Sequence, residues 1–472
     1  MLRRLLLLLV FLAPTHAFAQ YELTVEPYVF ETGDGRTVDA ELGRFRVPEN
    51  RSIEGGRMIE LAFVRFPTTN PNPGPPIVYL AGGPGGSGSG TARGSRFDLF
   101  QSLRSVADVI AFDQRGTGLS AQLPDCPHRL TPPLAAEDSR ATWTQAAIET
   151  IQACAAHWDS LGVDLSAYTT QESADDLNAL REVLNADQIA LWAISYGTHL
   201  GLSAIRRHPD AIARAVLAGV EGPDHTLKLP SHQQTLLERI AAIDAERSPE
   251  STFLADIALV LDRLREAPHS VDVPTESGSV RLLIGAFDVQ ALTAGMLGSP
   301  DLSLYLPGMF AQMRDGEFGS VAHWMLRFKS DSSIGAMSAA MDAASGASPE
   351  RLARIAWEAD RTLLGDAINF PANVMAEALG VPDLGDGFRS PILSDVPVLF
   401  ISGTLDGRTA PENADEVRAG FSRHAHLLLE GAGHSDPLFL STPLILDRMQ
   451  TFLSGAMVDS ETIAVALPER TP

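Results

Sequence analysis

Short, mainly apolar runs recur along the chain at 77–80, 106–112, 189–194, 215–220 and 396–401. Each is as long as a strand and ends in a glycine-containing or polar turn, the pattern of strands buried on both faces. Between them, residues 142–158 and 173–184 carry helical spacing. In the second helix Ser173 is placed to cap the N-terminus, with Asp175 and Asp176 in the first turn, where the helix dipole favours acids. Strand, helix, strand in this order predicts a parallel sheet with crossover helices. The runs 21–25, 43–48 and 58–66 have strand character around the turns Gly33-Asp34-Gly35 and Pro48-Glu49-Asn50, and predict an antiparallel start to the same sheet.

From about Asp224 to about Ser390 the rhythm changes to helical segments at 233–246, 253–266, 289–297, 321–328 and 349–364. The expected organisation is a leader over 1–19, the first part of an α/β core over 20–223, a helical cap over 224–390 and the rest of the core over 391–472. The tail after Ala456 reads as poorly anchored. No internal repeat stands out.

The stretch Ala193-Ile194-Ser195-Tyr196-Gly197 joins a buried strand to a helix in a few residues. Only small side chains two before and two after the apex let strand and helix cross, so Ser195 is held out at the tip. That is the nucleophile elbow of α/β-hydrolases, with Ala193 in place of the first glycine of G-x-S-x-G. Upstream, the run at 77–80 leads into Ala81-Gly82-Gly83-Pro84-Gly85-Gly86-Ser87-Gly88, whose glycines let backbone N–H groups approach a ligand. It lacks the Lys-Ser/Thr ending of a phosphate-binding P-loop. A serine needs a base, and the base needs a carboxylate to fix its tautomer. Ser195, Asp406 and His434 follow the hydrolase chain order, each in a loop after a strand. The structural alternatives are a helix-capping Asp406 and a surface His434. His199 would face along the elbow helix, and Asp436 follows His434 too closely to reach its ring. Asp113 and Arg115 read as structural partners that fix their loop.

Together Gly82-Gly83-Pro84-Gly85, Asp113-Gln114-Arg115-Gly116-Thr117-Gly118, Ile194-Ser195-Tyr196-Gly197-Thr198, Gly403-Thr404-Leu405-Asp406 and Gly433-His434 resemble the proline iminopeptidase and tripeptidyl aminopeptidase family of α/β-hydrolases. The resemblance extends over nearly all the mature chain, including Val47-Pro48-Glu49-Asn50. It implies an α/β-hydrolase fold with an inserted helical cap, Ser195 as nucleophile, Asp406 as acid, His434 as base, and Gly83 and Tyr196 N–H groups as the oxyanion hole. Members of the family cleave short N-terminal pieces from peptides, and some relatives are esterases. Two positions depart from the pattern: Ala81 stands where many members have His, and Ala193 replaces the first glycine of the elbow. An aminopeptidase also needs carboxylates for the substrate's free amine. Glu221, just past a strand, is one candidate, with a purely structural carboxylate as the commoner role for such a residue.

The formal net charge of -23 sets the surface against nucleic acid and anionic membranes. Arg3 and Arg4, the apolar run 5–13 and Ala17-Phe18-Ala19 form the three parts of a secretory leader, so an exported protein, periplasmic or extracellular, without a stable membrane anchor is expected. In that compartment the pair Cys126 and Cys154 is expected to form one disulfide, with two free buried thiols as the alternative. No metal or organic cofactor is implied. The expected partner is a small peptide or ester substrate, and the sequence assigns no oligomeric state. Three functions compete: a serine aminopeptidase, a carboxylesterase with the same triad, and a non-catalytic binding protein of the same fold.

Overall fold

In the computed structural model of the chain, which describes residues 21–467 apart from Ser277 and Asp331, the apolar runs lie side by side in one ten-stranded sheet. The expected leader falls outside the described residues. The strands in chain order are β1 (Leu23–Glu31), β2 (Thr37–Pro48), β3 (Met58–Phe66), β4 (Ile77–Leu80), β5 (Val109–Asp113), the short β6 (Arg129–Leu130), β7 (Ile189–Ser195) and β8 (Ile212–Val220). They continue with the hairpin β9 (His269–Thr275) and β10 (Gly278–Ile284), the short β11 (Ser332–Ser333), then β12 (Val398–Gly403), β13 (His424–Glu430) and β14 (Glu461–Ala464). The sheet order is β1-β2-β3-β5-β4-β7-β8-β12-β13-β14. Pairing is antiparallel from β1 through β3 to β5 and parallel from there to β14.

Because side chains alternate across a strand, a run apolar at every position must find a core on each side of the sheet. Val78, Leu80, Leu191, Ala193, Leu217 and Phe400 pack on one face. Ile77, Tyr79, Ala190, Trp192, Val216 and Ile401 pack on the other. The first hairpin is longer than the sequence pattern implied, since β1 and β2 pair from Leu23↔Phe45 to Glu31↔Thr37 around Gly35, whose φ is 86°.

Two expectations are corrected. The helix before β7 spans Thr170–Val183 and is capped by Thr169, whose hydroxyl accepts from the Glu172 N–H, so Ser173 lies buried inside it. Asp175 and Asp176 instead make ion pairs, with Arg207 and with Arg51 and Arg115. The tail is anchored over its described part, residues 457–467: β14 adds to the sheet edge in parallel with β13, with Ile463 buried.

Between β8 and β12 the chain builds the cap, mostly helical, with the β9–β10 hairpin added. Its own core gathers Leu237, Ile257, Leu282, Leu292, Phe310 and Met325. The long helix Ser139–Ser160 joins it, as Trp143 packs against Phe287, Phe328 and Phe370. A Cys126–Cys154 disulfide, Cα atoms 5.4 Å apart, ties that helix to the loop between β5 and β6. Among the described residues no helix is long and apolar enough to cross a membrane, and no group of three or more His, Cys, Asp or Glu is placed to hold a metal ion.

Candidate functional site

Ser195 ends β7 and stands at the N-terminus of the helix Tyr196–Arg207 with φ 55° and ψ −128°. A non-glycine residue there is strained by about 1–3 kcal/mol, and persists only where the surroundings over-determine it. Here a strand buried from Ile189 to Ile194 and a helix buried along its first ten residues, Tyr196 to Ile205, impose the turn. A methyl group on Gly197 would lie 2.2 Å from the Leu80 carbonyl oxygen, so glycine is required at that position. The partner position accepts Ala193, whose methyl points into the core face with Leu80 and Leu217. The glycine loop after β4 passes directly over the serine: a Cβ on Gly82 would come 2.9 Å from Ser195 Cβ. Among the described residues neither the Gly83 nor the Tyr196 amide donates to a protein acceptor.

Asp406, in the loop after β12, is buried and fully engaged. It accepts from the Arg408 and Thr409 N–H groups (2.8 Å each), from the Thr409 hydroxyl (2.7 Å) and from His434 Nδ1 (2.8 Å). Burial pushes this carboxyl up, but the adjacent His434 and the Thr409 donors outweigh it and hold Asp406 below the usual carboxylate range. With Nδ1 donating to Asp406, the free nitrogen of His434 is Nε2. The ring sits in a slot floored by Gly219, φ 57°, where a Cβ would be 3.3 Å from His434 Cε1. Ser195 and His434 line one cavity of about 320 Å³ together with Gly83. No hydrogen bond joins the Ser195 hydroxyl to the ring among the described residues, so any proton transfer requires the two to draw together once substrate fills the cavity. Two neighbouring candidates, His199 and Asp436, are occupied elsewhere. His199 bonds the Gly222 carbonyl (3.0 Å) and the Ser345 hydroxyl (3.2 Å), while Asp436 pairs with Arg96 (2.8 Å).

Four charged side chains share that cavity. Glu221 lies on it, but accepts an ion pair from Lys228 Nζ at 2.9 Å. Burial raises the Glu221 carboxyl, yet Lys228 and His199 prevail and hold it low. Asn369 clamps the Lys228 backbone through both its side-chain atoms (2.6 and 2.8 Å), which fixes the pair in place. The remaining two were not singled out in the sequence. Asp342 comes from the cap helix Ala336–Ser345, is only partly buried, and its carboxyl has no hydrogen-bond or ion-pair partner among the described residues. Burial first, and then the charge of Glu221, push Asp342 up to about 8, with Lys228 opposing. Arg408 is exposed at the cavity, and its guanidinium likewise has no partner among the described residues. The helix carrying Asp342 is rich in alanine, with little polar contrast to mark it, and Arg408 sits two residues beyond Asp406 with no spacing of its own that marks a ligand-binding role.

The family model described as alpha/beta hydrolase fold matches residues 75–439, from the strand before the glycine loop to just past His434. The chain belongs to the α/β-hydrolase family. Within it, this α/β-hydrolase is 24% identical to a tripeptidyl aminopeptidase of Streptomyces coelicolor, over 92% of this chain and 84% of that one. It is 29% identical to the serine protease Hip1 of Mycobacterium tuberculosis over 39% of this chain, an alignment spanning 36% of that relative's length. A probable proline iminopeptidase of Leptolyngbya boryana is 30% identical over 32% of this chain and 33% of its own.

Proposed function

We propose that this α/β-hydrolase is an exported serine hydrolase that removes short N-terminal pieces from peptides. The observation that carries the reading is the Asp406–His434 hydrogen bond opening onto the same cavity as a serine strained at the strand–helix apex. The names of the relatives, tripeptidyl aminopeptidase above all, support peptides as the substrate class.

In this mechanism His434 Nε2 takes the Ser195 proton as Oγ attacks the scissile carbonyl, and the unpaired Gly83 and Tyr196 N–H groups receive the oxyanion. Collapse breaks the C–N bond. His434 gives its proton to the departing amine, leaving the N-terminal piece esterified to Ser195. Water, deprotonated by His434, then attacks the ester, and the acid product leaves as Oγ recovers the proton. Asp406 keeps Nδ1 protonated throughout. The substrate's free ammonium is met by Asp342, with Glu221 beside it: Glu221 already carries Lys228, so Asp342 is the carboxyl with capacity to spare. Export is supported by the leader-like start of the chain and by the disulfide.

The test compares free-amine peptides, their N-acetyl forms and p-nitrophenyl esters on the wild type and Ser195→Ala. Turnover of the free-amine peptides that depends on Ser195 is expected. Good ester turnover with none of peptides would replace the reading with a carboxylesterase, and fluorophosphonate labelling no better than in Ser195→Ala would replace it with a binding protein.

A further inference from the structure

Among the described residues, Arg408 is the one charged group lining the cavity for which neither the proposed chemistry nor the frame of the fold supplies a partner. Its backbone N–H is committed to Asp406, but its guanidinium donates to nothing among the described residues. The side chain is nevertheless steered: it runs past Gly298, where an added Cβ would lie 2.8 Å from Arg408 Nε. Arginine presents a planar fork of donors suited to a carboxylate, and an arginine held beside a cavity without an acceptor is prepared for one that arrives with a ligand.

Position decides which ligand group that is. Asp342 belongs to the elbow side of the cavity: its helix holds Met341 against the Tyr196 hydroxyl (2.6 Å), Ser345 against His199 and Ser338 beside Gly85. Arg408 belongs to the side of Asp406 and His434, beyond β12, which is separated from β7 by β8. Two strand spacings are about 10 Å, roughly the reach of three extended residues. Since His434 must hand its proton to the leaving nitrogen, the departing fragment lies on its side, and the amine-bearing fragment lies toward Asp342.

We propose that Arg408 binds the C-terminal carboxylate of the departing fragment, so that the cavity grips a short peptide by both free ends and selects small, free-acid peptides over longer or blocked ones. This rests on the peptidase reading above. The cavity, about 320 Å³, is at the small end of ligand sites, as a short substrate requires.

The test is calorimetric binding of trialanine and tetraalanine, their C-terminal amides and their N-acetyl forms to Ser195→Ala, which removes turnover. It is repeated on Ser195→Ala combined with Arg408→Gln and with Arg408→Lys, after each has been shown by its melting curve to fold. The free acid of the better-bound length is expected to bind about tenfold tighter than its amide. That ratio should fall to near one in Arg408→Gln and recover in part in Arg408→Lys. Equal binding of acid and amide to the parent, or a ratio untouched by Arg408→Gln, overturns the proposal. Failure of the peptidase reading looks different: N-acetyl peptides then bind as well as free-amine ones, or the wild type cleaves none of them. Absence of binding by all peptides overturns both.

Discussion

Two clusters of charge lie under the same edge of the sheet and have opposite characters. Arg115, in the loop after β5, is wholly buried and saturated with partners. It donates to both Asp176 oxygens (2.8 and 2.9 Å) and to the carbonyls of Glu49 (2.6 Å) and Ala167 (2.5 Å). Arg51 reaches the same Asp176 at 2.7 Å, and Asp113 takes donors from Ser89 and Leu119. In the cavity above Ser195, Asp342 and Arg408 have no partner at all among the described residues. Burying a charge is tolerable only with compensation, so the first cluster is frame. Charges left uncompensated at a cavity are retained for something outside the chain.

Asp406 challenges this division, because it is as saturated as Arg115 yet placed at the proposed chemistry. Asp406→Asn keeps its shape and most of its hydrogen bonds but can no longer fix the His434 tautomer. The expected result is a fall in kcat of about 10,000-fold, the scale known for acid-to-amide change in such triads, with little change in melting temperature. A small fall would mean that His434 is oriented by Thr409 instead.

Arg115→Met tests the frame. Removing Arg115 leaves the Glu49 and Ala167 carbonyls buried without this donor and Asp176 with Arg51 alone, and the expected loss is about 3 kcal/mol of folding stability in denaturant titration. Activity per folded molecule, counted by fluorophosphonate titration at low temperature, should stay within a few-fold of wild type.

Asp342→Asn tests the other side. The preference for free-amine over N-acetyl peptides should shrink about 10–100-fold, the worth of a charge-assisted hydrogen bond. The ratio of the two substrates cancels any pH effect on the catalytic step they share. In the wild type it should rise with pH through the 6–8 range as Asp342 ionises, and stay flat in Asp342→Asn. Stability should move the opposite way. An unfolded Asp ionises near 3.9, whereas Asp342 in the fold does so near 8. Between those values the folded state holds a proton the unfolded state lacks, so stability falls as pH rises. Asp342→Asn removes that fall, and should gain about 1–2 kcal/mol at pH 8, after allowance for partial exposure, and almost nothing at pH 4.

The same division explains what could be read from the chain. The strands of the parallel half, the elbow and the order Ser195, Asp406, His434 were legible because each follows from local pattern: apolar runs, forced glycines, loops at strand ends. The cap was legible as a helical insertion, but not its β9–β10 hairpin, which is half exposed and weakly alternating. Ser173 was mistaken for a cap because Thr169, one turn earlier, offers the same chemistry without the acidic run that follows. β14 was missed because a short edge strand takes its order from β13, not from its own sequence. Asp342 was invisible for a related reason. Being unpartnered is a property of the folded surroundings, and no spacing along the chain announces it.

The sharpest form of the contrast sets one arginine against another, where the smallest effect is expected. Arg408→Gln removes a guanidinium that bonds to nothing among the described residues and is exposed, and the Arg408 N–H that supports Asp406 survives the change. Its effect on stability should stay within about 0.5 kcal/mol, measured by the same denaturant titration that shows Arg115→Met strongly destabilised. Both substitutions delete the same charge from the same acidic protein, so their net-charge effects cancel in the comparison. If Arg408→Gln cost as much as Arg115→Met, Arg408 would be part of the frame, and the absence of a partner in the fold would no longer distinguish a waiting charge from a working one.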